Sequence, residues 1–321
     1  MFRLKSCIFA IVMEYIGILL ILLAGIGNPV QTAVNSRLRF ALGTPLISST
    51  VSFTVGLLVL MVLTLVTCDS LLVPASVASQ VPWWAWGGGF VGAVMLTALI
   101  VVFPKLGGVL TVLLPMIGQI FLSILIDTFG WFGSEPIPLS FPRIIGLLLV
   151  TAGLICYVMG KRKQEYNGSD TKGVGIVWLV AGLFIGFCFA IQPVMNGVLA
   201  TALTSSVHAS FISFAISTVI LYILLFVMPS ERKQMAGMFR LQSPWWMWSG
   251  GILGAFFVTM FAWFTPLLGI GICSVVSIFG QLVSGAVIEG KGLFGNPARH
   301  INALQYLGIG LVLPGVVCVN L

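Results

Sequence analysis

Charge is the scarcest feature of this sequence. Asp, Glu, Lys and Arg make up 7% of its 321 residues, where soluble domains carry roughly 25%. So little charge cannot cover a water-facing surface, and an ordinary soluble globular protein is excluded. Histidine is nearly absent, with only His208 and His300, which argues against a histidine-rich metal site. The six cysteines, Cys7, Cys68, Cys156, Cys188, Cys273 and Cys318, form no CxxC pair and no metal-ligand spacing. Cys156, Cys188, Cys273 and Cys318 lie in apolar stretches and read as small residues facing lipid or another helix. There is no GxxxxGK[ST] phosphate loop and no GxGxxG after a strand. No cluster of His, Ser and carboxylate gathers at one place, so the chain reads as a non-enzyme without cofactor or metal. The net charge of +7 does not imply nucleic acid. The basic residues are few and sit mostly in short loops, as the positive-inside rule expects of a membrane protein.

Apolar sequence is what abounds, at 59% of residues. Runs of about twenty apolar residues recur from end to end, each long enough to cross a bilayer as a helix. The alternating ten-residue segments of a membrane β-barrel are missing. The breaks between runs give ten spans, at roughly 13–34, 44–67, 83–103, 107–127, 142–160, 173–196, 206–228, 245–265, 269–289 and 302–319. At the N-terminus, Arg3 and Lys5 precede an apolar stretch in the manner of a signal peptide. Glu14 interrupts that stretch and no small-x-small cleavage site is clear, so a first transmembrane helix is expected. Met13 is a plausible start, which makes residues 1–12 an upstream extension.

The two halves of the chain match each other. Gln31 and Asn35 align with Gln192 and Asn196, and Ser52-Phe53 with Ser213-Phe214, at an offset of 161. From there the offset is 162: PWWAWGGGFVG at 82–92 aligns with PWWMWSGGILG at 244–254, Gly118-Gln119 with Gly280-Gln281, Asp127 with Glu289, and Gly130 and Gly133 with Gly292 and Gly295. The expected organisation is a first five-helix repeat at 1–160, a cytoplasmic linker at 161–172 and a second repeat at 173–321. An odd number of spans per repeat inverts the second against the first. The charges test this separately. With both termini outside, Arg37, Arg39, Lys105, Lys161, Arg162, Lys163, Lys172, Arg232, Lys233, Arg240, Lys291 and Arg299 face the cytoplasm, twelve of the fifteen basic residues. Arg3, Lys5 and Arg143 are the exceptions. Inverted repeats are a recurrent transporter design, with the substrate bound between them near the midplane.

The Gln-x3-Asn segment, the S-F-x-x-G-like helix that follows it and GQIFLSILIDTFGWFG at 118–133 resemble the YdcZ-like branch of the drug/metabolite transporter (DMT) superfamily, in its fused two-half form. The resemblance covers nearly the whole chain, twice. It implies an all-α polytopic protein of the bacterial inner membrane that moves a small molecule, in the direction of export. The second half departs from the pattern, with Ile288-Glu289-Gly290-Lys291-Gly292 in place of I-D-x-F-G.

Intramembrane polar residues need a partner or a task. Gln31 and Asn35 share a helix face, with Asn28 nearby, and Gln192 and Asn196 repeat the arrangement. Thr111, Pro115, Gln119, Ser123 and Asp127 fall at successive i+4 steps, as do Cys273, Ser277, Gln281, Gly285 and Glu289. Two readings fit these amides: hydrogen bonds between helices, or the wall of a transport cavity. On the second, Gln31, Asn35, Gln119, Gln192, Asn196 and Gln281 bind substrate. Asp127 and Glu289 couple transport to protons or a cation, or else are solvated helix-end acids. Trp83, Trp84, Trp86, Trp245, Trp246 and Trp248 read as interfacial anchors, and Gly88-x3-Gly92 and Gly250-x3-Gly254 as helix-packing sites. The expected function is a secondary transporter of a small polar, cationic or amphipathic metabolite or drug. It works as a monomer of two fused halves or as a homodimer. A non-transporting membrane assembly or binding protein is the alternative.

Overall fold

The structure, a computed structural model, describes residues 2–165, 175–228, 231, 244–295 and 298–320. Most of the expected linker, with Arg232, Lys233 and Arg240, lies outside the described residues. Eight helices are long and apolar enough to cross a membrane, and two shorter apolar helices complete the set. In chain order these are α1 Ile11–Leu42, α2 Pro45–Cys68, α3 Trp83–Leu99, α4 Leu110–Phe129, α5 Phe141–Lys161, α6 Ile176–Ala202, α7 Ser206–Val227, α8 Trp245–Leu268, α9 Ile270–Lys291 and α10 Ala303–Val319. The helical backbone of α1 begins at Phe2 and that of α5 continues to Glu165. The protein is an all-α polytopic membrane protein built on two repeats.

Capping is duplicated along with the sequence. The Thr44 hydroxyl accepts from the Ile47 amide at the start of α2, and Ser205 accepts from His208 at the start of α7. The Ser140 hydroxyl accepts from Arg143 at the start of α5, and Asn302 accepts from Gln305 at the start of α10. Each satisfies an amide that the first helical turn leaves without a backbone partner.

Gly269, at φ 84°, separates α8 from α9. In the first repeat the helical backbone runs unbroken over Gly88–Phe129, yet it cannot be one straight rod. Gly88 lies against Asn196 and Leu106 against Gly182, so α3 runs down α6. Ile126 then packs on Ala190 and Val194, back up α6. A straight helix would by then be about 30 Å further on; the chain turns back between Leu106 and Leu114, both of which meet Gly182.

The repeats interlock. Helix α6 of the second repeat is clasped by α3 and α4 of the first, and α1 of the first by α8 and α9 of the second. Helices α2 and α7 pair, and the rings of the matched residues Phe53 and Phe214 stack at 4.9 Å. Helices α5 and α10 pair through glycines, Gly146 against Gly315 and Gly153 against Gly308. Small residues allow such backbone approach where lipid supplies no hydrophobic drive between helices.

The bundle has two distinct ends. At the linker end, Thr44 meets Glu231, Arg37 meets the Phe294 carbonyl and Asn302 meets the Gly160 carbonyl. At the far end, Cys68 meets Ser205, His208 meets the Leu71 carbonyl and Trp84 meets Phe132. Ten crossings with this alternation are what the sequence requires.

Candidate functional site

A cavity of about 600 Å³ enters the bundle from the linker end. Its mouth carries Arg39, Pro45, Ser48 and Ser49, and its wall continues through Asn35, Thr32, Asn28, Thr111, Pro115, Leu96 and Leu99 to Gln119, Phe189 and Gln281. Arg39 and Thr32 are exposed there. Gln119 lies ten residues from the far-end terminus of α4 at Phe129, and Gln281 ten residues from the linker-end terminus of α9 at Lys291. At 1.5 Å per residue that is about 15 Å, half the depth of a hydrocarbon core.

The two glutamines are held differently. The Gln119 side chain is buried and donates to the Ser274 hydroxyl at 3.2 Å, tying α4 to α9. Gln281 is half-buried and donates to Ser277 one turn away, at 3.1 Å. An amide carries both donors and acceptors, so each keeps capacity beyond its serine.

Of the six amides singled out by sequence, Asn35, Gln119 and Gln281 line this cavity; Gln31, Gln192 and Asn196 do not. Those three, together with Asn35, occupy a second arrangement invisible in one dimension. Gln31 lies over Gly254 and Asn35 over Gly250, while Gln192 lies over Gly92 and Asn196 over Gly88. The Gln-x3-Asn and Gly-x3-Gly segments are thus two sides of one joint, made twice. The glycines leave room for the amides. The closest backbone approach falls one residue later, at Gly89 against the Ser213 carbonyl and Gly251 against the Ser52 carbonyl.

The acids are not solvated alike. Asp127 is 1% exposed, so the solvated helix-end reading does not hold for it. One carboxylate oxygen accepts from Arg143 at 2.6 Å and from the Gly271 amide at 2.9 Å; the other accepts from the Ile270 amide at 3.0 Å. This latch spans α4, α5 and the N-terminus of α9, where helix-end amides and dipole favour an anion. Arg143 is itself 3% exposed. Apart from the extreme N-terminus it is the one basic residue on the side opposite the others, and a charge that breaks the bias in this way signals a partner. Glu289, partly exposed, pairs with Lys161 at the linker end.

The tryptophans divide in two. Trp83 and Trp245 are more than four-fifths exposed, as anchors should be. Trp84 and Trp246 instead cover the turns Gly130–Gly133 and Gly292–Gly295, meeting Phe132 and Phe294. Both phenylalanines sit at positive φ, 61° and 54°, a conformation that persists for a bulky residue only when its surroundings fix it. Among the described residues no group of three His, Cys, Asp or Glu is placed to hold a metal.

Far-end closure is apolar. Ile21, Ala24, Ile126, Ala190, Val194, Phe261, Phe264, Leu268 and Ile270 pack into one buried cluster between the cavity and the Asp127 latch.

Comparison with known proteins agrees with this architecture. The model of a family described as "Putative inner membrane exporter, YdcZ" matches residues 16–156 and again 177–318. A solved crystal structure superposes with a TM-score of 0.63 over 93% of this chain and 95% of that one, at 15% identity, a likeness of fold alone. No curated protein matches. The two matches cover most of the chain, one per repeat, and the chain belongs to the YdcZ family of the drug/metabolite transporters.

Proposed function

We propose that the chain is a secondary transporter that exports a small polar or amphipathic compound across the cell membrane by alternating access. The observation that carries this reading is the cavity. It is open at one end, closed at the other by packed apolar side chains, and lined at mid-depth by the matched pair Gln119 and Gln281.

The charge bias supports an orientation. Arg37, Arg39, Lys105, Lys161, Lys291 and Arg299 belong to the linker end, and Arg143 to the far end. The positive-inside rule then puts the linker end in the cytoplasm and the termini outside. On that orientation the structure is the inward-open form of an exporter. The compound enters from the cytoplasm, rests against Gln119, Gln281 and Asn35, and leaves at the far end.

The wall narrows the substrate class. Arg39 is its one charged side chain, and no carboxylate lines it among the described residues. Glu231 lies behind the rim, bound to Thr44. Leaving a cation without a counter-charge in such a site is costly. A neutral compound, or one with an anionic group that Arg39 meets at the mouth, fits the wall better than the cation that sequence left open. Asp127 and Glu289, each paired with a basic side chain, serve this reading as structural ion pairs rather than as proton carriers.

A compound screen on cells lacking and overexpressing the protein identifies a substrate, and proteoliposomes then measure its flux. Gln119→Ala and Gln281→Ala are each expected to raise KM about tenfold, the loss of one or two hydrogen bonds. Unchanged flux in the double variant would sink the site assignment.

A further inference from the structure

We infer that the protein contains a second solute site, folded shut in this structure, whose wall is Asn196, Ser210, Phe261, Cys273 and Ser277 and whose bolt is the Asp127–Arg143 latch. The inference rests on the transport reading and adds where the outward-facing site lies.

The repeat offsets locate it. Asn35, Ser49, Leu99, Thr111 and Pro115 line the open cavity. Their counterparts at 161 or 162 residues are Asn196, Ser210, Phe261, Cys273 and Ser277. Each counterpart is buried, at 1%, 0%, 1%, 0% and 0% exposure. These positions line the cavity in one repeat, where Thr111 and Pro115 are nonetheless buried, and lie in packed protein in the other. Four residues break that division. Gln119 and Gln281 are counterparts, as are Asn28 and Phe189, and all four line the open cavity. They lie where the repeats exchange, so inverting the repeats keeps them in place and moves the opening to the far end. The two sites share this floor.

Two residues of the closed wall carry unpaired buried polar atoms, as Asn35 Oδ1 does in the open repeat. Both polar atoms of the Asn196 amide and the Ser210 hydroxyl are buried without a hydrogen-bond partner. Buried polar groups are ordinarily satisfied, and an orphan costs its full desolvation penalty. Asn196 and Ser210 are orphans in the state seen and gain water or solute when the far end opens.

The latch decides which state is held. Asp127 on α4 fastens Arg143 on α5 and the first two amides of α9. Helix α9 carries Cys273, Ser277 and Gln281, so it cannot draw back from α4 at the far end while those bonds stand. The counterpart of Arg143 is Gln305, which carries no charge. Glu289 pairs instead with Lys161, a bond a fifth to a quarter exposed that water screens more than the buried Asp127–Arg143 pair, so the far end is the more firmly fastened and the inward-open form is the resting one.

Native Cys273 supplies the test. Cys7, Cys68, Cys156, Cys188 and Cys318 are replaced by Ser, and a membrane-impermeant maleimide is applied outside intact cells. With the latch intact Cys273 is expected to react slowly. Asp127→Asn is expected to speed its labelling by about tenfold or more, the population shift that follows loss of one charge-assisted bond. In the same background Thr111→Cys, with Cys273→Thr, is read from the cytoplasmic side of inverted vesicles; there Asp127→Asn is expected to slow labelling. This reciprocal change supports the second site. No acceleration at Cys273 overturns it. Acceleration at both positions also overturns it, since that reports a loosened fold. Reciprocal labelling in protein that carries no screened solute would sink the transport reading and leave the site standing; flux without reciprocal labelling does the reverse.

Discussion

Gly251 and Gly254 stand one turn apart on α8 and answer differently to an added methyl group. At Gly254 it meets the tip of Gln31, a flexible side chain that can swing aside. At Gly251 it meets the Ser52 carbonyl and the Gly56 amide, backbone atoms that move only if α2 moves. Overpacking of that kind costs about 1–3 kcal/mol. Gly251→Ala is therefore expected to lower the unfolding temperature of the detergent-purified protein by several degrees. Gly254→Ala should be close to neutral for stability. Equal shifts in the two variants would contradict the packing described. The sequence had marked Gly250 and Gly254 by their spacing, and Gly251 carried no such mark. Which glycine bears the contact depends on the rotation of α8 against α2, and spacing along one helix does not contain that angle.

At the scale of elements, α5 and α10 form a pair apart from the rest. Gly146, Gly153, Gly308 and Gly315 bring their backbones together, and neither helix contributes a residue to the cavity. Stability and transport should separate here. Gly153→Leu places a branched side chain against the Gly308 carbonyl. It is expected to reduce the yield of folded protein and its thermal stability, by the same order of about 1–3 kcal/mol. The KM of the protein that does fold should stay within about twofold of the parent. A large KM change with unaltered stability would mean that α5 reaches the solute path. Helices α1, α4 and α9 are the opposite case. Each carries polar side chains on a cavity face and is clasped by the other repeat, so substitutions on that face should affect KM more than folding.

For the whole molecule, the charge bias and the alternation of ends make a topological claim. A cysteine introduced at exposed Ser76, in the short helix Ala75–Ala78 that connects α2 and α3, should react with an impermeant maleimide added to intact cells. A cysteine placed in the 161–172 linker should react only after the membrane is opened. The reverse pattern would turn the protein over and make the open cavity face outward. The structure also gives the duplication a physical form. The two repeats do not sit side by side as domains; each clasps the other's first helix. Motion of one repeat therefore moves both walls of the cavity, which is what alternating access needs from a fused pair.

Much of this was legible along the chain. Twenty-residue apolar runs fix the number of crossings because bilayer thickness is a length, and length can be read in one dimension. Offsets of 161 and 162 fix the duplication, and basic residues gathered in alternate loops fix its inversion. The candidate amides were legible too, since a polar side chain in an apolar run stands out wherever it points. Their division was not. Gln119 and Gln281 share the cavity, while Gln192 and Asn196 close over glycines. Sequence treats the repeats as equivalent, but a molecule caught with one end open does not. Of the two matched polar stripes, the first brings Thr111, Pro115 and Gln119 to the cavity wall and the second only Gln281. The packing of α4 against α9, bolted by the Asp127 carboxylate on the Ile270 and Gly271 amides, makes that choice, and only the tertiary structure contains it.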